Sequence, residues 1–120
     1  MTAAPLLSFE LGAQVSRLKA ETEWRADGRN AITFVKQQDL RVVLIVLQPG
    51  LKLDEHHAAG PFTLQVISGR VALRAPEQSV EVAAGGLLVV SSMVTHEIEA
   101  LQESAILLTI LHPGKPGMAA

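Results

Sequence analysis

From Ala31 onward the chain is a succession of short apolar runs rich in Val, Ile and Leu, each closed by Gly, Pro, Ser or a charge cluster. Nine candidate strands follow from that pattern: Ile32–Lys36, Arg41–Gln48, Leu51–His57, Phe62–Ser68, Arg70–Arg74, Val80–Ala83, Leu87–Val90, Val94–Ala100 and Ala105–Leu111. The gaps between them are too short for crossover helices, which parallel pairing requires. The chain is therefore expected to be all-β, an antiparallel sandwich or barrel. With 120 residues, 48% of them hydrophobic, it has the material for one core and one domain.

The N-terminal region reads differently. Leu11, Val15 and Leu18 recur at i, i+4 and i+7, which predicts one short amphipathic helix between Ser8 and Ala20. Ser8 is its expected N-cap and Glu10 stands in its first turn, while Gly12 weakens it. Asp27-Gly28 marks a turn. The expected division is a helix and arm over 1–30, a barrel over 31–112 and a flexible tail over 113–120, where Pro and Gly end regular structure. Val42–Leu47 and Ile106–Leu108 are apolar on both faces, so something must cover their outer side. The helix is expected to cover part and a second subunit the rest, which predicts a homodimer. A thick two-sheet sandwich that covers its own strands is the alternative.

Charge and composition exclude several functions. Ten Lys and Arg residues are scattered singly and the net charge is -2, whereas phosphate binding needs a concentrated basic face; no nucleic-acid partner is expected. Without cysteine there is no disulfide framework, thiolate metal site or cysteine nucleophile. No apolar run approaches the roughly 20 residues of a membrane span, so no membrane partner is expected. The opening MTAAPLLSFELG has no basic segment, and Ser8 and Glu10 interrupt its apolar run; the expectation is a cytoplasmic protein without a signal peptide.

The candidate chemistry lies in four histidines: His56, His57, His96 and His112. Alternation puts Val94, His96, Ile98 and Ala100 on one face and Thr95, Glu97 and Glu99 on the other, so His96 points inward with aliphatic neighbours. A buried imidazole needs a partner for its nitrogens, and a metal, a ligand or a backbone carbonyl can each serve. On that evidence a satisfied core histidine outweighs a ligand. His56 and His57 follow Asp54-Glu55, a polar quartet that also reads as an exposed loop. Strict alternation from Leu51 and Leu53 would put His57, not His56, on the leucine face unless a bulge intervenes, and the sequence leaves both open. His112 precedes Pro-Gly at the end of the last strand and reports only the start of the tail.

The frame around these histidines resembles that of the cupins, whose two motifs, G-x5-H-x-H-x3,4-E-x6-G and G-x5-P-x-G-x2-H-x3-N, lie on neighbouring strands of a double-stranded β-helix, or jelly-roll, barrel. Gly50 followed after five residues by His56, with Gly69 closing the hairpin, fits the first frame. Gly85 followed after ten residues by His96 fits the second, and residues 70–84 separate the two. The resemblance spans most of Ala31–Leu111. It departs at the functional positions: Ala58 replaces the second histidine, Phe62 the glutamate, Ser91 the proline, Met93 the inner glycine and Ala100 the asparagine.

Two functions follow from this resemblance. The first is a barrel that binds a small organic ligand, with His56 and His96 as polar handles and Phe62, Leu64 and Met93 as apolar lining, assisted by a weak or incomplete divalent-metal site. The second is a metal-dependent cupin enzyme of dioxygenase, isomerase or decarboxylase type, with one divalent transition metal (Zn, Fe, Mn or Ni) on His56, His57 and His96. With aromatics at 3% and no tyrosine, recognition by ring stacking is disfavoured in either case.

Overall fold

Period-2 alternation of apolar side chains needs two sheets to bury it, and the computed structural model of the chain shows such a pair of antiparallel sheets. The structure describes residues 5–56, 60–91 and 94–112, with the backbone alone for 54–56. Two helices, α1 (Leu11–Ala20) and α2 (Thr22–Asp27), precede nine strands. These are β1 (Arg29–Lys36), β2 (Leu40–Leu47), β3 (Lys52–His56), β4 (Phe62–Ser68), β5 (Arg70–Arg74), β6 (Ser79–Ala83), β7 (Leu87–Val90), β8 (His96–Ala100) and β9 (Ser104–Leu111). One sheet has the order β1-β2-β9-β4-β7 and the other β3-β8-β5-β6. The jelly-roll architecture and all nine strands match expectation, although β1 starts at Arg29 rather than Ile32 and β8 at His96 rather than Val94.

The inner faces meet in a core of Leu47, Phe62, Leu64, Val66, Val71, Leu73, Val82, Val90, Ile98, Ala100 and Ile106. In β4 the residues Phe62, Leu64 and Val66 are buried while Gln65 is exposed, as alternation predicts. A second cluster lies on the outer face of the five-stranded sheet, where Leu18 of α1 and Trp24 of α2 pack on Leu44, Val46 and Ala105. The helices thus supply part of the cover that the doubly apolar strands require. Leu87 and Val89 of β7 remain 64% and 67% exposed on the uncovered part.

The helical region corrects two expectations. Ser8 is not the N-cap: α1 starts at Leu11, and Glu10 precedes it in extended conformation without a side-chain capping bond. The arm is instead held extended by Phe9, whose ring stacks on Phe34 of β1 at 4.3 Å. The second helix, α2, was not foreseen. Asn30 joins the two helices by donating from Nδ2 to the Leu18 carbonyl (3.0 Å) and to Glu21 Oε1 (2.8 Å). Gly28, at φ 73°, closes α2 in the left-handed conformation that favours glycine.

Gly69 shows why the barrel needs glycine at that turn. Its φ is 84°, and a Cβ there would stand 2.2 Å from the Glu103 carbonyl oxygen and 2.7 Å from Ser104 Cα. The close approach lets the buried Ser104 hydroxyl accept the Arg70 N–H at 3.0 Å. Among the described residues no helix is long and apolar enough to cross a membrane.

Candidate functional site

β8 carries His96 inward. The residue is 2% exposed and shares the inner face with Ile98 and Ala100, while Glu97 and Glu99 face out, as the alternation requires. Both outer carboxylates accept from Arg74 Nη1 of β5, Glu99 at 2.6 Å and Glu97 at 3.4 Å. The bond to Glu99 chiefly holds the exposed Arg74 guanidinium above its ordinary pKa, with desolvation opposing and Glu97 adding. These outer carboxylates are turned away from the His96 face and do not serve it.

The His96 ring is fixed by the segment that leads into its strand. Nδ1 lies 2.9 Å from the Val94 carbonyl oxygen. A carbonyl only accepts, so Nδ1 donates its proton to that oxygen. A backbone carbonyl holding one ring nitrogen is also how ligand histidines are oriented. Across the core, the Phe62 ring from β4 stands 4.9 Å from the imidazole, tilted by 43°, and Phe62 itself is 4% exposed. The position where the first motif has its glutamate is therefore an apolar wall against the histidine.

β3 runs antiparallel to β8, and its register pairs Leu53 with Ile98 and His56 with His96. The shift between these pairs places an extra residue on β3, a bulge of the kind that resets alternation. His56 is thus brought opposite His96 in the backbone register. Leu64 lies one inward step beyond Phe62 on β4, sealed in the core among Val66 and Ile106. His57 and Met93, also expected in the site, lie outside the described residues. His112 is half-buried at the end of β9, its N–H bonded to the Asp39 carbonyl at 3.0 Å, apart from the His96 face.

The divalent metal implied by the resemblance can be tested against this donor set. Among the described residues no group of three His, Asp or Glu side chains could hold a metal ion. The described interior offers one oriented imidazole, with a phenyl ring in place of the anionic ligand. Catalytic zinc sites use about three protein ligands. The described residues do not fit such a centre, and no chemical step is derived through one.

Two further features line the barrel. A cleft of about 190 Å³ is lined by Leu73, Gln78, Val80, Leu88, Val90 and Val94, among others, next to Phe62's cross-strand partner Val90. The other is Arg41, which sequence reading missed. In β2, Leu44 and Val46 face the helices while Ile45 and Leu47 face the core, so the unbroken alternation from 40 to 47 puts Arg41 on the core side. The signal was legible: a single charged residue in phase with Val43, Ile45 and Leu47.

No protein-family model and no curated protein matches the chain. Solved structures do. A conserved protein of unknown function from Streptococcus pyogenes is 24% identical, with a TM-score of 0.71 over 74% of this chain and 78% of that one. A cupin-2 domain containing protein from Shewanella frigidimarina is 16% identical, with a TM-score of 0.69 over 87% and 94% of the two chains. Salicylate 1,2-dioxygenase from Pseudoaminobacter salicylatoxidans is 18% identical, with a TM-score of 0.73 over 85% of this chain but only 32% of that much longer one. Two facing antiparallel sheets, the register that sets β3 against β8, and these structural neighbours agree: the chain has the jelly-roll fold of small cupin domains.

Proposed function

We propose that this cupin domain is a binding cup for a small organic ligand, with His96 as its inner polar handle. The observation that carries this reading is the contact between Phe62 and His96, both buried, with their rings 4.9 Å apart. A phenyl ring at the glutamate position removes the anionic ligand that tight metal binding uses and supplies apolar wall instead. The bond from Nδ1 to the Val94 carbonyl fixes the imidazole on this inner wall, where it supplies the polar group of an otherwise apolar surface.

A second reading is a metal-dependent enzyme of dioxygenase, isomerase or decarboxylase type, with Zn, Fe, Mn or Ni on His56, His57 and His96. The register that pairs His56 with His96 favours it, as does the structural likeness to a salicylate 1,2-dioxygenase. Elemental analysis of protein purified without added metal, alongside native mass spectrometry and the His96→Ala variant, separates the two. The cup predicts substoichiometric metal and small-molecule binding that His96→Ala abolishes. Stoichiometric transition metal lost in His96→Ala would replace the cup with the enzyme.

A further inference from the structure

Arg41 lies on the inner side of β2 and has no part in the cup of Phe62 and His96. Its cross-strand partners on the inner face are Ile110 of β9 and, beyond it, Phe62 of β4. The row Arg41–Ile110–Phe62 therefore runs along the inner surface towards the ring that touches His96. At one strand spacing per step, Arg41 and Phe62 are about 9.5 Å apart along that row. Arg41 is half-buried, and its Nε is buried without a hydrogen-bond partner among the described residues. A buried guanidinium N–H with no acceptor is costly, and a carboxylate matches its planar fork.

A second observation has the same sign. On the other side, Arg41 pairs in register with Lys36 of β1, so two cations stand directly opposite each other on one face. Like charges so placed repel. The ion pairs among the described residues are Arg17–Glu21, Lys19–Glu103, Arg70–Glu81 and Arg74 with Glu97 and Glu99; none includes Arg41 or Lys36. An anion between β1 and the core relieves both the orphaned N–H and the repulsion.

We infer that the ligand is a small carboxylate: Arg41, backed by Lys36, takes its carboxylate group, and its apolar body lies over Ile110 and Phe62 with the far end at His96. The inference rests on the ligand-cup reading and adds the chemical class. The span fits one aromatic ring or a short branched chain.

The test titrates the whole protein with two matched pairs, benzoate against benzamide and 4-methylpentanoate against 4-methylpentanamide, following backbone amide shifts by NMR. The acids are expected to bind about ten- to a hundredfold more tightly than the amides, the usual range for a charge-assisted bond. Arg41→Gln should erase that preference, while Arg41→Lys, which keeps the charge, should retain part of it. Amides that shift the residues around Phe62 and His96, with acids no tighter, would overturn the carboxylate assignment and leave the cup standing. A preference that survives Arg41→Gln would overturn it too. If neither acids nor amides bind, the cup itself fails and the inference with it.

Discussion

The buried ring of Phe62 faces the His96 imidazole across the core. The alternation of Phe62, Leu64 and Val66 against Thr63 and Gln65 made its inward orientation readable, but not the imidazole that it meets. That contact joins residues from strands far apart in the chain. Phe62→Glu would put a carboxylate within reach of His96. Zinc affinity, followed by isothermal titration, should rise. Stability in the presence of a chelator should fall by about 3–5 kcal/mol, the usual cost of losing a buried phenyl group, with a further penalty for the buried charge. Unchanged zinc titration would mean that position 62 does not correspond to the motif glutamate.

At the scale of the element, strand positions were legible because each strand is a period-2 run bounded by turn residues. What escaped were features without a periodic signature. α2 has six residues, less than two turns, and exists because Trp24 docks on the outer face of β2 and Asn30 ties it to α1. The β3 bulge is one extra residue in a polar stretch, yet it brings His56 rather than its neighbour opposite His96. The arm ignored its Ser8 cap because Phe9 gains more by stacking on Phe34. Trp24→Ala should cost about 3–5 kcal/mol in denaturant unfolding, the range for truncating a buried aromatic. Amide exchange should then quicken in α1 and α2 while β8 and β9 stay protected. Equal loss of protection in both regions would show that the helices are integral to the barrel and not a cover laid on it.

At the scale of the whole molecule, an apolar strip lies open at one edge of the five-stranded sheet. Leu87 and Val89 stand exposed on β7, which ends the five-stranded sheet. We propose that two such edges pair in a homodimer, a contact different from the cover over Val42–Leu47 and Ile106–Leu108 on which the sequence expectation of a second subunit rests. Sedimentation should give twice the 12.8 kDa chain mass for the natural sequence and the chain mass for Leu87→Glu combined with Val89→Lys. A monomer in both cases would remove the dimer. By itself the sequence determined the strand count, the inward faces of β4 and β8 and the glycine turns, because alternation and positive-φ turns are local properties that the backbone enforces. Only the tertiary structure decided which residues are set against one another: Phe62 against His96, the backbone of His56 in register with that of His96, and Arg41 in one row with Ile110 and Phe62. Those neighbours come from strand order and from one bulge, and both are set by burying two sheets against each other.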